Sequence, residues 1–148
     1  MAGTDPGTIG AVLHRWAALA PERPFVLSPD TGRGLSFGQI QSFAAALDRF
    51  LSERDVGPGE RVAIYLGNGL AMSALFVGTM ALGRTVTPIN LLSQGAQLAY
   101  VIGHCDAKLL FTSAEHRPKI DQCLAGASNR PRIEVIDPDS VDWAGQAA

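Results

Sequence analysis

Gly57-Pro58-Gly59-Glu60, Arg61-Val62-Ala63-Ile64-Tyr65-Leu66, Gly67-Asn68-Gly69, an apolar run to Leu82, and Gly83-Arg84-Thr85-Val86-Thr87-Pro88-Ile89-Asn90 make up the stretch that decides the fold. In order, these read as a turn, a short apolar strand, a glycine-rich break, a helix apolar on most of its faces, and a second strand. Strands joined through a helix run parallel, and a parallel sheet needs cover on both faces. Residues 57–90 are therefore the centre of an α/β layer.

Outward from that centre the same alternation continues. Ser93 is a candidate cap for a helix carrying Leu98, Val101 and Ile102, and Lys108-Leu109-Leu110-Phe111 reads as a third parallel strand. A more polar helix over 114–124 leads to Ile133-Glu134-Val135-Ile136, a fourth strand closed by Asp137-Pro138-Asp139. The tail to Ala148 offers no further element. On the amino-terminal side, Thr8 caps a helix with an Ile9, Val12, Leu13, Trp16 stripe, stopped by Pro21 and Pro24. Phe25-Val26-Leu27, a turn over 28–34, and a return through Leu35 make a small hairpin. Ser36 and Gln39 are placed as a capping box, with Leu35 and Ile40 as its staple, before a helix faced by Ile40, Phe43, Leu47 and Leu51.

The expected fold is an α/β three-layer sandwich: a mostly parallel, doubly wound sheet with strands starting near Arg61, Thr85, Lys108 and Arg132. The amino-terminal helix and the hairpin lie at its margin. With 148 residues and 47% apolar composition, one domain over 1–148 is expected, with 1–7 and 138–148 as flexible tails.

Composition excludes several classes of function. A net charge of −2 offers no basic field for nucleic acid or anionic lipid. Cys105 and Cys123 make neither a disulfide framework nor a metal box, and are read as reduced thiols. The first residues carry no signal-peptide pattern, and the longest nearly apolar run, 70–82, is too short to span a bilayer. A cytoplasmic protein without a transmembrane segment is expected.

Gly67-Asn68-Gly69 lies where a dinucleotide fingerprint would open a helix, but Met72 occupies the third glycine position and Asn90, not an acid, closes the next strand. The glycines are read as a helix start that needs positive φ, and NAD binding is rejected. The sequence has no P-loop, no G-x-S-x-G elbow and no H-E-x-x-H pair. His14, His104 and His116 fall on three different elements or their ends, so no nucleophile meets a base. Asp137-Pro138-Asp139 reads as a turn rather than a carboxylate pair. Arg117 and Lys119 follow the third strand, where open sheets bind ligands, but read as solvated charges at the start of a helix.

The order of these segments carries more information than any one of them. Leu35-Ser36-Phe37-Gly38-Gln39, then Val56-Gly57-Pro58-Gly59-Glu60-Arg61-Val62-Ala63-Ile64, resembles the "T-Y-x-E-L" and "G-V-x-x-G-D-R-V-A-I" segments of the AMP-forming acyl-CoA synthetases. That superfamily includes aryl-CoA ligases, luciferases and adenylation domains of peptide synthetases. Leu66 to Asn68 is similar to its "L-x-N", and residues 81–90 to its "A-x-G-A-V-V-V-P-L-N-P". Leu98, Ile102 and Ala107-Lys108 fall where the family has "L-x-Y-x-L-x-D-S-x-A-K", with Tyr100 one place off. The resemblance runs from about Thr8 to Asp137, and it departs at Arg84, usually a small residue, and at Leu91, usually proline.

The resemblance implies the amino-terminal subdomain of an AMP-forming acid–CoA ligase, whose parent reaction uses ATP, Mg²⁺ and CoA. The family's Ser/Thr/Gly-rich loop ending in Pro-Lys-Gly, its aromatic-Gly-x-Thr-Glu and Tyr-x-Thr-Gly-Asp motifs, and its carboxy-terminal lysine do not occur in this sequence. No catalytic residue, no cofactor-binding residue and no metal ligand is therefore assigned, and the chain alone is expected to be inactive. Its expected partners are the remaining ATP-binding and carboxy-terminal domains. A stand-alone binding module is the alternative; a flavodoxin-like nucleotide binder would need phosphate loops that the sequence lacks. Leu70, Phe76, Val77 and Met80 are expected to leave an apolar surface that promotes dimerisation.

Overall fold

The structure, a computed structural model, describes residues 7–146. The remainder of the two expected tails, 1–6 and 147–148, lies outside the described residues. The elements are α1 (Ile9–Leu19), β1 (Pro24–Ser28), β2 (Arg33–Ser36), α2 (Phe37–Ser52), β3 (Arg61–Tyr65) and α3 (Leu70–Ala81), followed by β4 (Thr85–Pro88), α4 (Gly95–His104), β5 (Leu109–Thr112), α5 (Arg117–Cys123), β6 (Arg132–Val135) and α6 (Trp143–Gln146). The main sheet is parallel throughout with strand order β4-β3-β5-β6, while β1 and β2 form a separate antiparallel hairpin. The α/β three-layer sandwich expected from the sequence is the observed architecture.

Alternation along the central strands builds two cores. Val62, Ile64, Leu109 and Phe111 face α1, α2, α3 and α6, whereas Ala63, Tyr65 and Leu110 face α4 and α5. These positions are all fully buried, which is why β3 and β5 read as continuous apolar runs rather than alternating ones. The chain goes from β3 out to β4, then crosses back on the other face to place β5 on β3's far side. The winding therefore reverses between β3 and β5.

Local chemistry sets the element boundaries. The Ser36 hydroxyl accepts from the Gln39 amide at 3.2 Å while the Gln39 side chain accepts from the Ser36 amide at 2.8 Å, completing the capping box. Such a cap contributes about 1 kcal/mol. Ile40, Phe43, Leu47 and Leu51 all face the core from α2. Thr8 caps α1 through the Ala11 amide at 3.1 Å.

Several boundaries and faces differ from the sequence reading. In α1 only Leu13 of the stripe is buried; Ile9 and Val12 are 43% and 46% exposed. The helix crosses α3 at Gly10, where an added Cβ would lie 2.5 Å from the Ala81 carbonyl oxygen, so the contact face is rotated away from the apolar stripe. Ser93 does not cap α4. It is buried, its amide bonds to the Asn90 carbonyl, and α4 begins after Gln94 without a side-chain cap. The helix after β5 begins at Arg117, not at 114, because His116 N–H turns back onto the Ser113 carbonyl and hydroxyl. A further element, α6, forms in the tail that was expected to have none.

Candidate functional site

In an open parallel sheet, ligands bind beyond the carboxyl ends of the strands where the winding reverses. The loops after β3 and β5 flank that point in this chain. Thr112 at the end of β5 donates its hydroxyl to the Tyr65 carbonyl at 3.0 Å, closing the gap between the two strands with a buried hydrogen bond. Tyr65 is fully buried and donates its hydroxyl to the Leu91 carbonyl at 3.1 Å. Lys119 donates to the same carbonyl at 3.4 Å and lies 5.6 Å from the Tyr65 ring centroid. His116 meets that ring edge-on at 5.4 Å. The two charges read from sequence as solvated at a helix start have partners: Lys119 donates to a loop carbonyl, and Arg117 is paired with Asp121 one turn on at 2.9 Å.

The amino terminus of α3 is the one helix start that faces this crevice from β3. Its Ala71 amide donates to the Pro138 carbonyl oxygen at 3.2 Å. Gly69, immediately before α3, has extended backbone (φ 169°) rather than the positive φ expected from sequence, and Gly67 does not have positive φ either. What requires glycine at 69 is proximity, because a Cβ there would come 2.9 Å from the Pro138 carbonyl oxygen. Residues 137–146 form a strap that runs from the end of β6 past the amino terminus of α3 to the core face under α2. Asp137 Oδ1 accepts from the Asp139 amide at 2.9 Å, so the Asp-Pro-Asp motif is a turn, and Arg33 of the hairpin donates to the Asp139 carbonyl at 3.2 Å.

Trp143 anchors the strap. Its ring lies 5.7, 5.3 and 5.3 Å from those of Phe43, Phe50 and Phe111, and its indole N–H donates to the Ser140 carbonyl at 3.1 Å. The sequence reading missed this residue. A single tryptophan beside Val141 in a polar tail was the available signal.

The opposite end of the sheet holds most of the ion pairs among the described residues. Arg84, the residue that departs from the family pattern, is 4% exposed. Its guanidinium donates to the Val56 carbonyl at 2.8 Å, to Asp48 at 2.8 Å and to the Ser52 hydroxyl at 3.3 Å. Glu60 pairs with Lys108 and accepts from the Gly57 amide at 2.6 Å; the hydrogen bond from Lys108, then that from Gly57, holds its carboxyl below the ordinary range. Arg61 pairs with Asp106 at 3.1 Å. His104 is at this end, stacked on Tyr100 at 3.9 Å, so the fold separates it from His116 by the length of β5. His14 is exposed on α1.

Several groups that could meet a phosphate here have partners within the chain. The Ala71 amide at the helix terminus that would receive a phosphate bonds the Pro138 carbonyl, Arg117 is paired with Asp121, and Lys119 donates to the Leu91 carbonyl. Among the described residues, no three His, Cys, Asp or Glu side chains are grouped as metal ligands would be. What the site does is hold four loops together.

The model of the AMP-binding enzyme family matches residues 13–148. The chain belongs to that family. Over 142 residues this AMP-binding family chain is 39% identical to sulfoacetate–CoA ligase from Cupriavidus necator, covering 94% of the chain and 28% of that enzyme. It is 25% identical over 138 residues to the long-chain-fatty-acid–CoA ligase FadD13 of Mycobacterium tuberculosis, covering 93% and 26%. The chain thus spans about a quarter of the length of these curated relatives. Among solved structures, the N-terminal domain of FACL13 from Mycobacterium tuberculosis superposes with a TM-score of 0.81 at 21% identity, over 95% of this chain and 36% of that one. A benzoate CoA ligase from Burkholderia xenovorans gives 0.80 at 22% identity, over 95% and 28%. These likenesses confirm the fold.

Proposed function

We propose that this chain is the amino-terminal portion of an AMP-forming acid–CoA ligase and acts there as a scaffold that contributes no catalytic group. The observation that carries the reading is the 39% identity to sulfoacetate–CoA ligase across 94% of the chain. The whole enzyme would join a carboxylate to ATP, giving acyl-AMP and pyrophosphate, and then transfer the acyl group to CoA with release of AMP. ATP, Mg²⁺ and CoA would be held by the remaining domains, the chain's partners in that assembly; what supports this is that the Pro138 carbonyl already occupies the amino terminus of α3. Among the described residues no helix is long and apolar enough to cross a membrane. We place the enzyme in the cytoplasm.

The substrate class follows the relatives. A short acid with a second anionic group, as the name of the Cupriavidus necator enzyme indicates, is the first to assay, and a long-chain fatty acid the second. Purified chain given ATP, Mg²⁺, CoA and either acid is expected to release no AMP. A chimera in which it replaces the aligned 142 residues of the Cupriavidus necator ligase is expected to form the thioester. Acyl-CoA produced by the chain alone would overturn the non-catalytic assignment, and a folded but inactive chimera would count against the scaffold role. Alone in solution, the chain is expected to self-associate through its uncovered apolar surface, which light scattering reads directly.

A further inference from the structure

The link between β3 and α3 carries chemistry that a scaffold does not use. Asn68 is exposed and lies between Leu66, buried just after β3, and Leu70, the first residue of α3. Leu70 is 6% exposed and belongs to the core, not to the apolar surface expected from the sequence. The chain is therefore held on both sides of Asn68 and open at it. Among the described residues, neither the Asn68 side chain nor the Gly69 N–H has a hydrogen-bond partner. The Gly69 carbonyl, by contrast, accepts from the Ser73 amide at 3.2 Å, and the Ala71 amide is taken by Pro138. Asparagine is a thermolabile residue whose short carboxamide reaches the backbone that follows it, and a glycine there brings no Cβ to obstruct the approach.

From this arrangement we propose that Asn68-Gly69 is a site of spontaneous covalent modification, at which the Gly69 nitrogen closes a succinimide on Asn68. The Gly69 N–H gives its proton to water, its nitrogen bonds to Asn68 Cγ, and the Cγ–Nδ2 bond breaks, releasing ammonia that takes up a proton. Water then opens the imide, its hydroxyl going to a carbonyl carbon and its hydrogen to the nitrogen. Cleavage at Cγ leaves aspartate at 68. Cleavage at the main-chain carbonyl leaves isoaspartate, whose backbone runs through Cβ and Cγ. The net change is amide plus water to carboxylic acid plus ammonia, with no oxidant or reductant.

The fold explains why so labile a pair stands here. A Cβ at position 69 would lie 2.9 Å from the Pro138 carbonyl oxygen, so the strap excludes the side chains that would slow the attack. The chain's other two asparagines lack the combination. Asn90 is followed by Leu91 and accepts from the Leu92 amide at 2.9 Å, and Asn129 is followed by Arg130. Isoaspartate lengthens the main chain by one methylene between two buried leucines. Gly69 must then shift against the Pro138 carbonyl, which breaks the Ala71–Pro138 hydrogen bond and loosens the strap.

The test holds the purified chain in mildly alkaline buffer and follows the peptide around each asparagine by mass spectrometry, with an isoaspartyl methyltransferase as the probe for isoaspartate. The Asn68 peptide is expected to convert many-fold faster than those of Asn90 and Asn129, gaining the mass difference between amide and acid and splitting into two forms. Folded chain and chain in urea should convert Asn68 at comparable rates. Conversion in urea but not in the folded chain would mean that the fold keeps the two groups apart, and would overturn the proposal. So would equal rates at the three asparagines. Asn68→Gln should abolish the new species and leave the Tm within about 1 °C. Freshly prepared Asn68→Asp separates the added charge from the added methylene. Hydrogen exchange at the Ala71 amide should be unchanged in that variant and faster in the purified isoaspartyl form. An isoaspartyl form that keeps Ala71 protected would overturn the link to the strap.

Discussion

The two ends of the parallel sheet are built on opposite principles. At the amino ends of the strands, charge holds the structure: Arg84 binds Val56, Asp48 and Ser52, while Lys108 joins Glu60 to the Asp55 carbonyl. At the carboxyl ends, where sheets of this winding bind ligands, a backbone carbonyl from the strap meets the start of α3, and Trp143 anchors the strap in the core under α2. The ion pairs gather at one end of the sheet and the backbone contacts of the last segment at the other.

Removing the anchor of the strap should produce the largest effect. Trp143→Ala takes away an aromatic that touches Phe43, Phe50 and Phe111. The expected cost is about 3 kcal/mol, or a Tm lower by about 6–12 °C in thermal unfolding. A change under about 1 kcal/mol would mean that the strap does not depend on its tryptophan. The matching substitution at the charged end, Arg84→Met, leaves the Val56 carbonyl without its donor and returns the half-exposed Asp48 carboxylate to water. That should cost about 2 kcal/mol by urea titration. Arg84→Lys is expected to recover only part of the loss, since an ammonium cannot reproduce the three-way fork.

The difference in how these two ends were foreseen has a physical cause. The capping box at Ser36 and Gln39 was legible because both partners lie within one helical turn, and β3 and β5 because complete burial removes polar residues from a strand. The strap was not, since Trp143 packs against residues of α2 and β5 that only the folded chain brings near it. The glycines of Gly67-Asn68-Gly69 do not adopt the positive φ expected of them, and Gly69 instead admits a close carbonyl. Close approach of a carbonyl from a distant loop leaves no trace in local sequence. Arg84 was visible as a departure from the family pattern, and its burial was not, because a buried guanidinium looks like a surface one until its acceptors are known.

The two glycines of that motif sharpen the contrast at lower amplitude. Gly69→Ala drives a methyl group into the Pro138 carbonyl and should cost about 1–2 kcal/mol, whereas Gly67→Ala, whose nearest neighbour is a Leu91 methyl at 3.9 Å, should stay within about 0.5. Equal effects would show that the strap yields to the added methyl, and the crevice would then be less firmly closed than its geometry indicates.

The smallest effect belongs to the charged end and depends on pH. Folding lowers the Glu60 carboxyl below its ordinary 4.5, first through the Lys108 hydrogen bond and then through the Gly57 amide. A group with a depressed folded pKa binds fewer protons in the native state, so its contribution is present above 4.5 and is lost as pH falls through the lower folded value. Because the carboxylate is open to solvent, salt screens the pair and the contribution is slight. Glu60→Gln should therefore flatten the acid limb of a stability-versus-pH curve below 4.5 and lower stability only slightly at pH 7. The analogous curve for Trp143→Ala should be displaced downward at every pH, since its loss is apolar. If Glu60→Gln instead lowered stability as much as Arg84→Met, the Glu60–Lys108 pair would have to be counted with the buried clamp rather than with the exposed ion pairs beside it.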